Sequence, residues 1–279
     1  MFIENYSFIT ALSLYSLSTL AYFIFFLFRK EKYASYGGWL VRSGLVFHTA
    51  ALVSRTTEAT FLPLTNQYEF ATSFAWGIAL CYVGVEWKYK FRVLGTFATP
   101  LILVIAFYAA LQTKEIKPLM PALQSNWLYF HVSTAILSYG AFAVACSVSV
   151  MYLIRDHLKE DSFIGSHMPS FEMMDEISYR SISLGFIMLT VVIITGAIWA
   201  EKAWGRYWQW DPKETWSFIT WIIYAIYLHI RLSRGWKNKK AAWYAILGFI
   251  SIIFTYIGVN TLLSGYHSYG LFVIRLIYI

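Results

Sequence analysis

The stretch ITGAIWAEKAWGRYWQWDPKETWSFITWIIYAIYLHIR, from Ile194 to Arg231, joins two apolar runs through a short polar segment. A run of about 20 mostly apolar residues is long enough to cross a bilayer as an α-helix. Six tryptophans fall between Trp199 and Trp221, around the polar segment. This density exceeds what the interfacial anchoring of two helix ends requires. It predicts an aromatic wall for a large, flat, apolar ligand.

Similar apolar runs recur along the whole chain, which has 279 residues, 58% of them hydrophobic and 13% charged. Soluble domains carry about 25% charged residues. Eight stretches are apolar over a length that can span a membrane, and the predicted transmembrane helices are 7–28, 37–54, 70–87, 92–111, 127–154, 179–200, 214–232 and 241–263. The sequence therefore predicts an all-α polytopic membrane protein with about eight transmembrane helices. No domain boundary is visible, so residues 1–279 are predicted to form a single integral membrane domain.

Lysine and arginine concentrate in the loops of one membrane face, with 15 on that face and 7 on the other. The positive-inside rule makes the first face cytoplasmic or stromal, which places both termini on the outer face. The longest break, 155–178, is then an inner loop, and 199–216 is an outer loop. This loop bias accounts for the net charge of +7, so we expect no nucleic-acid partner. No basic segment precedes the first apolar run, and we expect no cleavable signal.

The end of the outer loop has the pattern of a helix start. Asp211 is an N-cap residue, Pro212 suits the first helical position, and Glu214 completes a capping box. Gly205 allows the chain to bend before this point. Asp211 and Glu214 serve either as caps alone or also as the rigid edge of a ligand platform, and the sequence leaves both readings open.

The six histidines differ in their predicted depth. His131 and His267 lie at the outer ends of the fifth and eighth helices, beside the tryptophan-rich loop, and this placement fits bis-histidine ligation of haem. His229, at the inner end of the seventh helix, is either a functional group at membrane depth or a cation that favours a helix C-terminus. His48, within the second helix, is a further candidate ligand or a buried hydrogen-bonding group. The remaining two are expected to be solvated in the inner loop: His157 and His167.

Both cysteines, Cys81 and Cys146, lie inside apolar runs and outside any CxxC or CxxCH pattern. We therefore expect buried thiols, with no structural zinc site and no haem attached covalently to this chain.

The segment WGRYWQWDPKE is similar to the tryptophan-rich "WWD" signature of haem-handling proteins. Together with PSFEMMDEISYR before the sixth helix and GVNTLLSGYHSYG after the eighth, the Ile194–Arg231 stretch closely resembles the CcsA/ResC family. That family supplies the haem-handling WWD subunit of the system II cytochrome c synthase. The resemblance is strongest over the C-terminal part of the chain.

The resemblance implies non-covalently bound haem b and a role for each matching residue. His131 and His267 match the two outer axial ligands, and His229 matches a haem ligand within the membrane, nearer the inner side. His48 has no counterpart in the family pattern. The implied cofactor-binding residues of the WWD segment are Trp204, Gly205, Trp208, Trp210, Asp211 and Trp216.

The implied function is cytochrome c maturation, in which the chain transports or holds haem at the outer face for thioether attachment to the CxxCH of apocytochrome c. The implied partners are a CcsB/ResB-type subunit, apocytochrome c and thiol-reducing membrane proteins, in a bacterial plasma membrane or a thylakoid membrane. The chain would be one subunit of a haem lyase complex, and no catalytic residue is assigned beyond the haem site. The alternatives are a haem exporter and a b-type haem electron-transfer subunit.

Overall fold

The computed structural model describes residues 2–121, 124–158, 168–237, 239–263 and 265. Within these ranges the chain is helical and has no β-strand, which confirms the all-α fold class. The helices are α1 (Phe2–Phe28), α2 (Glu31–Ala59), α3 (Gln67–Tyr89), α4 (Leu94–Ala110), α5 (Asn126–His157), α6 (Phe171–Trp204), α7 (Pro212–Arg234) and α8 (Lys239–Ile253), followed by a π-helical turn at Phe254–Gly258 and the short α9 (Val259–Leu262).

Several helices extend beyond the predicted spans because their ends continue through polar residues, several of them exposed, such as Glu31, Glu58 and Lys202, which an apolar pattern does not detect. Helix α2 covers Glu31–Ala59, where the apolar pattern indicates only 37–54. Helix α6 begins at Phe171, after the N-cap Ser170, and so starts inside the segment 155–178. It also continues to Trp204, which leaves only 205–211 between α6 and α7 in the outer loop.

Consecutive helices run in opposite directions. Arg55, near the C-terminal end of α2, contacts Glu4 in the first turn of α1 and Glu69 in the first turn of α3. Its guanidinium also donates to the carbonyl of Lys114, just beyond α4. These contacts bring four helix ends together at one end of the bundle. We call it the outer end, after the orientation that the sequence predicts, and the opposite end the inner end.

Helix α5 occupies the middle of the bundle and packs against α3, α4, α6 and α8. Its fully buried Phe142 stacks on Tyr224 of α7, with ring centroids 3.7 Å apart. Most of α5 between Leu128 and Leu153 is buried. This central helix therefore fixes the position of the residues at its outer end.

Among the described residues, four helical segments are both long and apolar enough to cross a membrane: Phe2–Phe28, Asn126–His157, Phe171–Trp204 and Lys239–Leu262. Helix α4, Leu94–Ala110, is apolar but shorter. Large apolar side chains such as Phe2, Val104 and Ile187 lie exposed on the outside of the bundle, as expected for contact with lipid rather than water. The protein is an integral membrane protein. The eight spans and the outer position of both termini stay predictions.

Candidate functional site

A cavity of about 250 Å³ opens at the outer end of the bundle. Its walls come from the first turns of α3, α5 and α7, the last turns of α6, and the π-turn and α9. The surfaces facing it are mostly apolar and aromatic, and include Phe70, Trp199, Trp208 and Tyr256. A concave, apolar site with a few polar groups is the usual form of a small-molecule or cofactor site.

His131 lies on the wall of this cavity, half-buried in the second turn of α5. Its Nδ1 is 2.8 Å from the carbonyl oxygen of Val192 in α6. Because a carbonyl only accepts, Nδ1 carries a proton, and in the neutral form of the ring Nε2 then carries the lone pair. A histidine that ligates a metal is usually fixed in this way, with its other ring nitrogen donating to a carbonyl or carboxylate.

Two further contacts set the plane of the His131 ring. The ring stacks on Trp199, with centroids 6.1 Å apart and 20° between the planes. On α6, Gly196 leaves the room that the ring occupies, because a Cβ there would fall 2.7 Å from His131 Cε1. The position and tautomer of this imidazole are therefore both determined by α6.

The tryptophans in and beside the outer loop differ in whether they line the cavity. Trp208 lines the cavity. Trp204 packs edge-on against the buried Trp199, with ring centroids 4.9 Å apart, and so supports the part of the cavity wall that Trp199 forms. Trp210 is 68% exposed and has a φ of 57°, a left-handed backbone conformation. Trp216 packs on Phe254, with centroids 4.3 Å apart. Among the described residues that line the cavity, Trp208 is the only member of the six-residue WWD set named above.

The remaining two members of that set shape the loop. Gly205 ends α6 with a φ of 75°, and its N–H donates to the carbonyl of Glu201. Asp211 is buried at the N-cap of α7, where its carboxylate accepts the N–H of Lys213 at 3.0 Å. The Glu214 carboxylate accepts the N–H of Asp211 at 3.1 Å, so the predicted capping box is confirmed. These contacts hold 205–211 as a rigid rim of the cavity.

The C-terminal segment reaches the same rim. Gly265 lies so close to the Asp211 carboxylate and to Pro212 that a side chain at this position would overlap them. His267 follows two residues later and lies outside the described residues, as does His167. The structure thus brings the chain to the cavity rim immediately before the second predicted ligand.

The other candidate histidines lie away from the cavity. His229 is exposed on the outside of α7, five residues before the inner end of that helix. His48 is completely buried between α1 and α2, where its Nδ1 is 3.2 Å from the hydroxyl of Tyr15. His157, the last residue of α5, is exposed at the inner end. Cys81 and Cys146 are free thiols, half-buried and buried respectively.

One functional element is not visible in the sequence, a buried ion-pair cluster that supports the cavity wall. Arg55, Glu4 and Glu69 are each at most 2% exposed, and Arg55 donates to Glu69 Oε1 from both Nε and Nη2 at 2.9 and 2.8 Å. The second oxygen of Glu69 accepts the backbone N–H and the hydroxyl of Thr65, both at 2.8 Å. Thr65 lines the cavity. The cluster therefore fixes the loop between α2 and α3 that forms one side of the site.

The fold and the cavity define a polytopic all-α membrane protein with an aromatic cavity, lined also by His131, at one end of its bundle. The profile of the family described as "Cytochrome C assembly protein" matches residues 64–267. Among curated proteins, "Cytochrome c biogenesis protein CcsA" of Guillardia theta is 35% identical, over 96% of this chain and 96% of its own length. The CcsA proteins of Synechococcus sp. (strain CC9605) and Pyropia yezoensis are 39% and 38% identical, over 84% and 80% of this chain. The chain belongs to the cytochrome c assembly protein family and, within it, to the CcsA proteins.

A solved structure shares the fold. "Cytochrome c Heme Lyase CcmF" superimposes with a TM-score of 0.71 at 15% sequence identity. The match covers 99% of this chain and 49% of that chain, so the present protein corresponds to about half of CcmF. Family membership makes this chain a cytochrome c biogenesis protein of the membrane.

Proposed function

We propose that this chain holds haem b non-covalently in the outer cavity and presents it for covalent attachment to the CxxCH segment of apocytochrome c. The observation that carries the proposal is the imidazole of His131, fixed by Val192 and Trp199 on the wall of an aromatic cavity. The family relationship to CcsA and the fold shared with a haem lyase support it. A CcsB/ResB-type subunit would complete the synthase.

The residues of the cavity fit the chemistry of haem. His131 offers a neutral imidazole nitrogen, the donor that haem iron accepts in bis-histidine sites. Trp199 and Trp208 provide apolar faces for a flat ring, and Phe70 and Tyr256 close the floor through rings 4.7 Å apart. His267, two residues beyond Gly265, would supply the second axial ligand. The Asp211–Glu214 cap would keep the loop in place while the ligand is exchanged.

The attachment reaction needs orientation rather than an acid–base pair. Each thiol of CxxCH adds across a vinyl group of haem, so that one S–C and one C–H bond form as the S–H bond and the vinyl π bond break, with no net oxidation or reduction. Haem supplies the two vinyl groups and the iron. The chain would contribute the positioning, which can account for a large share of the rate enhancement. Only reduced thiols can add to the vinyl groups. Keeping them reduced is the role expected of thiol-reducing membrane partners.

The proposal is tested by a haem-transfer assay with a peptide as the acceptor. The purified complex of this chain and its companion subunit should transfer haem covalently to a peptide carrying CxxCH, detected by haem staining in a denaturing gel. A matched AxxAH peptide should take up none. Release of free haem without attachment to CxxCH would favour the haem exporter, and stable redox cycling without transfer would favour the electron-transfer subunit.

Gly196→Ala is expected to weaken haem binding through His131. The added methyl group would fall 2.7 Å from His131 Cε1 and displace the ring from the Val192 carbonyl. Losing such an outer-shell partner costs about 10- to 100-fold in metal affinity. Haem titration of the detergent-purified protein measures the change. Gly84→Ala is the matched control, since a Cβ at Gly84 has nothing within 4 Å; equal losses in the two variants would refute the role of Gly196.

His229→Ala is expected to lower the amount of haem that co-purifies with the complex, while haem added afterwards still binds the outer cavity. The exposed position of His229 on α7 fits a histidine that acts with a neighbouring subunit in haem entry from the inner side. Ile226→Ala, one turn away and also exposed, is the control. Normal haem content in the His229 variant would remove this residue from the entry route.

The loop charges support an orientation in which the cavity would face the periplasmic or lumenal side of a bacterial plasma membrane or a thylakoid membrane. On this side the cavity would meet apocytochrome c. The lipid bilayer would cover the apolar exterior of the bundle. His48, buried beside Tyr15, has no part in the proposed mechanism and acts as a packing and hydrogen-bonding group.

A further inference from the structure

The wall of the cavity is polar on one side, where α7 meets α9. Lys213, in the first turn of α7, and Asn260, in α9, both line the cavity there. The Lys213 ammonium lies 3.4 Å from Oδ1 of Asn260. Lys213 is half-buried and Asn260 is 8% exposed. His131 belongs to a different part of the lining, on α5.

The charge of Lys213 has no carboxylate partner within 4.0 Å in the part of the chain that the structure describes. The two acidic residues beside it in sequence are engaged in capping. Asp211 accepts the backbone N–H of Lys213, and Glu214 accepts the N–H groups of Gln209 and Asp211. The Asp211 carboxylate attracts the ammonium only from beyond salt-bridge distance, and a long hydrogen bond to a neutral amide does not balance the remaining charge.

A cation on a largely apolar wall is unfavourable unless an anion pairs with it. Its position in the first turn of a helix adds to the cost, because the positive end of the helix dipole repels cations. Both costs are offset when a ligand brings a carboxylate to the site. Asn260 could then donate its side-chain amide to the second oxygen of the same carboxylate.

We propose that Lys213 and Asn260 form a carboxylate receptor within the cavity. The inference rests on the proposed function and deepens it, since the carboxylate would be a propionate of haem. The propionates and the vinyl groups lie on opposite edges of the haem ring. If His131 holds the iron and Lys213 holds one propionate, the opposite edge of the ring would point away from α7. The vinyl groups on that edge would then face the approaching thiols. Lys213 is thus a residue that orients the substrate.

The test compares haem with its dimethyl ester, in which both carboxylates are blocked, by Soret-band titration of the detergent-purified full chain. Wild type should bind haem roughly 10- to 100-fold more tightly than the ester, the range for a charge-assisted hydrogen bond. Lys213→Met should abolish this preference by weakening haem binding alone. Lys213→Arg should retain most of it.

Lys202→Met is the matched control, because Lys202 is exposed at the end of α6, over the ring of Trp127, and is outside the cavity lining in the described residues. It should keep the full preference for haem. Equal affinity of wild type for haem and ester, or an undiminished preference in Lys213→Met, would overturn the receptor while leaving haem binding in place. Failure of wild type to bind either compound would instead overturn the proposed function, and the receptor with it.

Discussion

Replacing His131 with alanine is expected to abolish covalent haem attachment to apocytochrome c in cells that depend on this chain. The variant loses the imidazole that Val192 and Trp199 hold at the cavity wall, which is the proposed iron ligand. The affinity for haem should fall by at least about 100-fold, because the loss of an outer-shell partner alone already costs about 10- to 100-fold in metal affinity. Haem-stained cytochrome c in membrane and soluble fractions is the measurement, with the level of the variant protein determined in parallel.

Two controls separate ligation from folding. Added imidazole should partly restore attachment in His131→Ala, because it can enter the space left by the ring and supply the same nitrogen donor. His157→Ala removes the same side chain from the opposite end of α5, where His157 is exposed, and should leave maturation normal. Normal cytochrome c levels in His131→Ala would exclude this residue as a ligand.

Arg55→Ala is expected to destabilise the outer end of the bundle severely. It leaves Glu4 and Glu69 without their common cation, although both are at most 2% exposed. Removing one partner of a buried ion pair costs about 3–5 kcal/mol in the free energy of unfolding. The midpoint of thermal unfolding in detergent should therefore fall strongly, and the cavity should lose its ligand because Thr65 is no longer held by Glu69.

Arg180→Ala provides the comparison for Arg55. Arg180 pairs with Glu176 one turn away on α6, with side chains 55% and 44% exposed, and such pairs contribute only about 0–1 kcal/mol. The triple variant Arg55→Leu, Glu4→Gln, Glu69→Gln should regain much of the lost stability, because it leaves no unpaired buried charge. A melting midpoint of Arg55→Ala equal to that of Arg180→Ala would show that the cluster does not support the fold.

Local signals in the sequence predicted local structure well. Asp211, Pro212 and Glu214 follow the rules of a helix start, and α7 begins there with both hydrogen bonds of the capping box. The apolar runs likewise identified each helix, since a membrane-spanning segment must satisfy its own backbone and be apolar over its length. The ends of α2 and α6 were underestimated because both helices continue through polar residues, such as Glu31, Glu58 and Lys202, that an apolar pattern does not detect.

Tertiary contacts could not be predicted in the same way. Arg55 falls just beyond the predicted span 37–54, and its partners are 51 and 14 residues away in the sequence. The sequence predicts that Trp216 is part of the aromatic wall. In the structure, its position on α7 instead directs its side chain against Phe254. The π-turn that places Tyr256 in the cavity has no signature in the local sequence. Gly196 and Val192 acquire their importance only when α5 lies against α6.

The reduced-minus-oxidised absorption spectrum of the detergent-purified chain tests the haem site most directly, with His131→Ala and His157→Ala measured beside the wild type. We expect a low-spin b-type spectrum in wild type and in His157→Ala, and its loss in His131→Ala. The same low-spin spectrum in all three proteins would place the iron away from the outer cavity and contradict the assignment of His131.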